Sequence, residues 1–429
     1  MKCFSVDRTS NHYYDVLIVG GGIMGSSTAH WLASRDRALR VGVIEPDPSY
    51  QTSATTLSVG GLRQQFSLWE NIEIGKYARD FMRDFPHSMF GDLDISQSSL
   101  PEVKFQPHGY LFLASESGYD ILKGNHDTQV TCGTNIKLMT SRELRETFPW
   151  LLTDGVVAGC YGGKDEGWFD PWALLQAFKT SAVMRGVEFI TGRAVSFTRR
   201  EGGVLREAKV RLEEGEEREL QFDKVVLSAG GDSGQVGQLM GLSVPVEKRK
   251  RFVYVPHCPG GPGLDCPLVI DPTGVYFRRE GLGGNYLCGQ SPTADQEPPD
   301  TDLAKVDMDW FDEQVWPILA QRVKAFESLK VRSAWAGNYD YNHWDENGII
   351  GQHPTESNVY MACGFSGHGI QQVDNVKSPQ IIIKTLQGPA VGRAISELIL
   401  EGRYKSIDLT RLGYQRILDG DKMLERYCV

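Results

Sequence analysis

The stretch Asp15-Val16-Leu17-Ile18-Val19-Gly20-Gly21-Gly22-Ile23-Met24-Gly25 decides the fold. Its first five residues are an unbroken apolar, β-prone run, the pattern of a parallel strand buried on both faces. A glycine cluster ends the run, and Thr28, Ala29, Trp31 and Leu32 then fall at helical spacing between Ser26 and Ala33. Val41 to Glu45 reads as a second buried strand, so the opening is one βαβ unit. Within it Gly20, Gly22 and Gly25 fit G-x-G-x-x-G, in which the first glycine makes the tight turn, the second admits a pyrophosphate and the third lets helix and strand pack closely. Ile23 and Met24 stand in the first helical turn, where free amides and the positive dipole end stabilise a dianion without a cationic side chain. Glu45, twenty residues past Gly25, is placed to accept from ribose hydroxyls and to repel a 2′-phosphate. FAD or NAD therefore fits better than NADP.

The α/β pattern recurs later in the chain. Asp170-Pro171 is a helix start, with Asp as N-cap, Pro at the first helical position and Leu174, Leu175 and Phe178 at helical spacing. A strand over Val187 to Ile190 follows, and Phe222 to Leu227 is another, ending in Ala229-Gly230-Gly231 before a helix through Val236 and Leu239. Between these, Phe105 to Ala114 and Phe252 to Gly289 alternate apolar and polar residues among many Gly and Pro, as antiparallel strands and turns do. Asp302 to Leu329 reads as helical, with Phe311, Val315, Ile318, Leu319 and Val323 on one face and a kink expected at Pro317. The acidic stretch Glu213 to Glu219 reads as a solvated hairpin.

Composition narrows the function. A chain of 429 residues exceeds what one core usually organises, and its 41% apolar content is ample for two interlocked domains. A net charge of -10 gives no general attraction to nucleic acid or anionic lipid, so nucleic acid is excluded as a partner. Apolar runs are strand-sized, which leaves the protein soluble or at most peripheral to a membrane. The eight cysteines are scattered without a Cys-x-x-Cys pair and read as reduced thiols, and no metal site is expected, His257 beside Cys258 having no further ligands. The first fourteen residues lack an apolar signal core and make a poor mitochondrial presequence, so either targeting is absent or the start is incomplete.

The βαβ fingerprint serves nicotinamide and flavin cofactors alike. Thr52-Ser53-Ala54-Thr55 with Gly60-Gly61, then Ala229-Gly230-Gly231-Asp232-Ser233, then Gly364-Phe365-Ser366-Gly367-His368-Gly369 occur in an order that resembles the D-amino-acid-oxidase-like flavoproteins, which include sarcosine and dimethylglycine dehydrogenases. The resemblance covers nearly the whole chain. It implies that Thr52, Ser53, Ser58, Gly60 and Gly61 lie along the flavin, that Val195, Ala229, Gly230, Gly231 and Gly337 help close the FAD site, and that Gly364, Phe365, Ser366, Gly367, His368 and Gly369 bring amides to the ring's pyrimidine edge. Amide donors suit that edge because a reduced flavin gathers negative charge there.

Departures from the family shape further expectations. Ser58 stands where dimethylglycine dehydrogenases carry the histidine linked to flavin, and Gly337-Asn338-Tyr339-Asp340 lacks the flavin-linking cysteine of monomeric sarcosine oxidases. FAD should therefore be held non-covalently. Gln371 replaces the lysine that helps hold a substrate carboxylate in sarcosine oxidases, which argues against sarcosine. Arg63, Arg278 and His368 are the candidate catalytic residues: each arginine either pairs with a carboxylate or makes a structural ion pair, and His368 either moves a proton or orders its loop. Tyr254 and Tyr276 either line the pocket or simply pack. Val373 to Gly388 looks inserted before a helix beginning at Pro389-Ala390-Val391-Gly392-Arg393.

The expected architecture is α/β: a doubly wound FAD-binding domain from residues 13–100, 142–243 and 331–429, with an interwoven, mainly antiparallel β substrate or cap domain from 101–141 and 244–330. Leu57 to Gly61, Asp165 to Trp172, Tyr276 to Gly283 and Ser333 to Gly337 resemble more closely still a mitochondrial branch of the family connected with assembly of respiratory complex I. That closer resemblance implies a place on the matrix side of the inner membrane and assembly intermediates as partners. A metabolic amine dehydrogenase or oxidase without an assembly role is the other reading.

Overall fold

The computed structural model describes residues 12–93, 101–200, 202–368 and 387–426, with the side chain of His368 left out. Two large sheets organise it. At the centre of the first, Tyr13–Val19 lies parallel to Val41–Glu45 on one side and to Glu217–Leu227 on the other. Val41–Glu45 continues to the start of Glu188–Arg199, and Glu217–Leu227 continues to Val359–Cys363, which carries the antiparallel edge strand Ile349–Gln352. Leu17 and Ile18 are fully buried because helices and a second layer cover both faces. On one face the helix Ile23–Arg35 packs against Pro171–Met184 and Gly388–Glu401. On the other, Leu205–Leu212 bridges the far ends of the two long strands and forms with Glu217 the expected acidic hairpin.

The second sheet runs, edge to edge, Lys330–Asn342, Val246–His257, Asn285–Gly289, Tyr276–Glu280, Leu268–Ile270, Tyr110–Ala114, Ala158–Tyr161 and Lys137–Thr140. Every pairing is antiparallel except that of Leu268–Ile270 with Tyr110–Ala114. Ala158–Tyr161 and Lys330–Asn342 hydrogen-bond here although the sequence places them in segments expected to bind the dinucleotide. Period-two alternation sends Leu111, Tyr254 and Phe277 to the outer face and Tyr110, Phe112 and Tyr276 to the inner one. A small ladder of Gly61–Leu62 with Gly167–Trp168 lies beneath that inner face.

Local chemistry explains the element ends. Asp170 caps its helix by accepting from the Ala173 N–H at 3.0 Å, with Pro171 in the first turn. Thr140 and Glu143 form a capping box. The helical stretch over the outer face is broken into Met308–Trp310, a π turn at Phe311–Val315 and Trp316–Arg322. The wide turn sits just ahead of Pro317, which lacks an N–H and whose ring crowds the preceding turn. Phe311, Val315, Leu319 and Val323 are buried as their spacing predicts. Among the described residues no helix is long and apolar enough to cross a membrane.

Candidate functional site

The three glycines of the first turn do different work. Gly20 has φ +103°, and a Cβ built on it would lie 2.3 Å from the Ser228 carbonyl oxygen, so the chain turns there directly against the neighbouring strand end. A Cβ on Gly25 would lie 1.9 Å from the Gly20 carbonyl oxygen, which makes Gly25 the packing glycine beneath the site. A Cβ on Gly22 would meet only Thr55 Oγ1, at 3.6 Å; the space above it is open. Gly22 is also the helix N-cap and offers no side-chain acceptor, so the first-turn amides look outward. The Ile23 N–H donates to Thr55 Oγ1 at 3.2 Å. Glu45, at the second strand's end, accepts from the Gly21 N–H at 2.8 Å and the Asp47 N–H at 3.0 Å, and burial raises its carboxyl above the usual range.

These groups wall a cavity of about 460 Å³. Of the expected residues, Gly20, Gly22, Ile23, Met24, Glu45, Thr52, Ser53, Ser58, Ala229, Gly230, Gly231, Phe365 and Gly367 line it. Others stand behind the wall. Gly60 has φ +68° and packs on the Phe169 carbonyl, Gly61 belongs to the small ladder, and Gly337 faces Leu57. Val195 sits at the register shift of its strand, with Gly192, Arg193 and Ala194 forming the wall beside it. Gly364, Ser366 and Gly367 all take positive φ, folding a tight loop that Asp340 holds by accepting from the Phe365 N–H at 2.9 Å and Ser366 Oγ holds by accepting from the Asn342 N–H at 2.8 Å. Gly369, Gln371 and residues 373–386 of the expected insertion lie outside the described residues, as does the His368 side chain.

The last two residues of that expected insertion belong to the site. Gln387 and Gly388 line the cavity, Gly388 opens the helix one residue earlier than Pro389, and its carbonyl accepts from Ser27 Oγ at 2.7 Å. Thr55, quoted with the first loop, lines the cavity too, and so do Tyr50, Lys248, Asn338 and Asp340, which the sequence did not single out. Asn338 and Asp340 share one side of their strand, opposite Gly337 and Tyr339, and Lys248 is the register partner of Asp340 and pairs with Asp232 at 2.8 Å. Period two could have grouped Asn338 with Asp340; only the strand register brings in Lys248.

The inner face of the second sheet is covered by buried side chains. Arg63 is 1% exposed, with its guanidinium 4.4 Å from the Phe66 ring centre and 5.1 Å from that of Phe112. Arg278 stands over Trp168 at 5.3 Å, and burial lowers its pKa from the ordinary arginine value. Tyr276 is on this face; Tyr254 is on the other, its hydroxyl donated to the Asp307 carbonyl. Glu166 is fully buried and accepts from the Gln64 N–H at 2.5 Å, the Gln65 N–H at 3.2 Å and Gln65 Nε2 at 2.7 Å, burial pushing its carboxyl up to about 7. Glu425 accepts from the Ser67 N–H at 2.6 Å and Asn71 Nδ2 at 2.6 Å, tying its segment to the entry of the helix Trp69–Arg83. Neither carboxylate was singled out from sequence.

The family described as FAD dependent oxidoreductase matches residues 15–374, which include both the phosphate turn and the loop at 364–367. The chain belongs to the FAD-dependent oxidoreductases. Similar relatives include the FAD-dependent oxidoreductase domain-containing protein 1 of Xenopus laevis, 43% identical over 97% of this chain and 85% of the relative, and that of Bos taurus, 42% identical over 97% and 87%. Among solved structures, L-proline dehydrogenase from P. horikoshii superposes with a TM-score of 0.78 at 23% identity, covering 96% of this chain and 99% of that one, and so shares the fold. FAD is the oxidoreductase's cofactor, and the residues fit it: open space over Gly22, outward amides at the helix start, and a half-buried carboxylate at the ribose position. The family match ends at residue 374, inside the stretch that the sequence marks as inserted.

Proposed function

We propose that this FAD-dependent oxidoreductase acts in the mitochondrion, on the matrix side of the inner membrane, and supports the assembly of respiratory complex I. Bound FAD would supply a hydride acceptor for a C–N or comparable C–H donor. The chain's own part is to grip the dinucleotide through main-chain amides of the first helical turn, to hold the ribose end at Glu45, and to keep water from the ring beneath the apolar face of Phe112, Tyr276 and Leu287. The observation that carries the oxidoreductase reading is the Gly22 cradle beside Glu45. The assembly reading rests on the close resemblance at Leu57 to Gly61, Asp165 to Trp172, Tyr276 to Gly283 and Ser333 to Gly337. A second reading, a metabolic amine dehydrogenase or oxidase with no assembly role, draws support from the buried Arg63 on the cap side.

Two measurements test this. Holoprotein mixed anaerobically with a panel of amines and hydroxy acids is expected to lose its yellow colour with at least one of them; none bleaching it removes the enzymatic reading. Cells lacking the protein are expected to lose complex I and to regain it with the wild-type chain. Normal complex I in those cells leaves the metabolic reading in its place, and rescue by Gly22→Val would assign the assembly role to the protein surface rather than to the flavin.

A further inference from the structure

Four stretches far apart in the sequence meet at one place. Trp335 Nε1–H donates to the Leu57 carbonyl at 3.0 Å, and Arg278 Nε–H donates to the Val59 carbonyl at 3.0 Å. Between those two carbonyls stands Ser58, in the wall of the FAD cavity. Trp168 lies under the Arg278 guanidinium and pairs with Gly61, while the Phe169 N–H donates to the Gly60 carbonyl at 2.9 Å. A Cβ on Gly337 would come within 3.1 Å of Leu57 Cβ, so the strand carrying Trp335 presses directly on the loop. One terminal nitrogen of the Arg278 fork, Nη1, donates to the Arg279 carbonyl at 2.9 Å and pairs with Glu280.

We propose that Arg278 and Trp335 are positioning residues that hang the flavin loop from the cap sheet and fix Ser58 against the cofactor, and that Arg278 is not the anchor of a substrate carboxylate. A guanidinium only 5% exposed needs acceptors around it, and here main-chain carbonyls and Glu280 supply them. A substrate carboxylate bound side-on, through Nε and Nη2, would displace the bond to Val59 and so loosen the loop that walls the flavin. Lysine cannot replace this arginine, because a compact point charge cannot serve two carbonyls in the fixed directions of the guanidinium fork.

The inference rests on the FAD reading, and the experiment separates the two. Arg278→Lys, Trp335→Phe and the double variant are compared with wild-type holoprotein for the shape of the visible flavin band and for FAD affinity. Each single variant is expected to change the band and to weaken FAD roughly fivefold to tenfold, the scale of one buried hydrogen bond. The double variant is expected to lose less than the product of the two, because both bonds hold the same short loop. Wild-type apoprotein that refuses FAD would sink the FAD reading itself. Wild type that binds FAD, beside variants with an unaltered band and affinity, would overturn the clamp alone. So would an Arg278→Lys protein whose flavin is unaltered but whose band no longer responds to benzoate as the wild type does. Trp335→Phe keeps the proposal open to refutation if the arginine variant fails to fold.

Discussion

The two ends of the FAD cavity are built by opposite means. The dinucleotide end is made by neighbours in sequence, Gly20 to Gly25 and Glu45, acting largely through main-chain atoms and open space. The flavin end is gathered from segments a hundred residues or more apart, by side chains that hold other segments' carbonyls and amides: Arg278 on Val59, Trp335 on Leu57, Glu166 on Gln64 and Gln65, Glu425 on Ser67. A site made of backbone and empty space is broken by adding atoms. A site made of side-chain struts is broken by removing them.

Adding atoms to the first end produces the largest effects and should split them cleanly. Gly25→Val puts a Cβ where the Gly20 carbonyl oxygen already stands and 2.8 Å from Ser228 Oγ, so the helix must lift from the strand turn. A loss of at least about 3 kcal/mol in apoprotein stability is expected from such overpacking against backbone. Gly22→Val meets only Thr55 Oγ1, so the apoprotein should unfold within about 1 kcal/mol of wild type while FAD binding is abolished, the branched side chain standing where the pyrophosphate must pass. Denaturant titration of the two apoproteins and a flavin titration of each decide it. A Gly22→Val protein that binds FAD would show that the phosphate does not use this turn.

This contrast also explains what could be read from the sequence. The strands Tyr13–Val19 and Val41–Glu45, the glycine turn and the Asp170 cap were legible because each is settled within a few residues by hydrophobic run, glycine spacing or cap chemistry. The cap sheet was legible as a sheet but not in its faces. Tyr254 and Tyr276 each sit between two apolar residues, yet one packs under the helical stretch around Phe311 and the other on the inner face, because both faces of this sheet are covered and the local sequence cannot say by what. Lys248 entered the site through its pairing with Asp340, and Glu425 through a return of the chain end to Ser67, neither of which leaves a local mark. Arg63 and Arg278 were visible as buried-site candidates, but the carbonyl that Arg278 holds was not.

Removing a strut from the second end gives the next largest effect, and it carries a pH signature. Burial, opposed by the Gln64 and Gln65 donors and by Arg63, raises the Glu166 carboxyl from 4.5 to about 7. A folded-state pKa above the unfolded one means that the proton is held more tightly in the native protein. The contribution is complete below about pH 4.5 and is lost as pH rises toward 7, by roughly 3 kcal/mol in all. Glu166→Gln cannot ionise, so the difference in unfolding free energy between variant and wild type should move in the variant's favour across that window and stay level above it. Equal slopes in the two proteins would mean that Glu166 ionises alike in the native and unfolded states, with its donors and Arg63 offsetting the burial.

The smallest effect tests the joint between the two ends. Thr55 belongs to the loop that leads to Ser58 on the flavin side, yet its hydroxyl oxygen accepts the Ile23 N–H at the start of the phosphate-binding helix. Thr55→Val keeps shape and deletes the acceptor. An amide left beside the cavity is met by cofactor or water rather than stranded, so the loss in FAD affinity should be about 1 kcal/mol, near fivefold, with Thr55→Ser restoring it. The visible flavin band should not move, because Leu57 and Val59 remain held from the cap sheet. If Thr55→Val instead alters the band as strongly as the removal of Trp335 Nε1–H does, then the loop moves as one piece, and the dinucleotide end is steering the flavin end rather than standing apart from it.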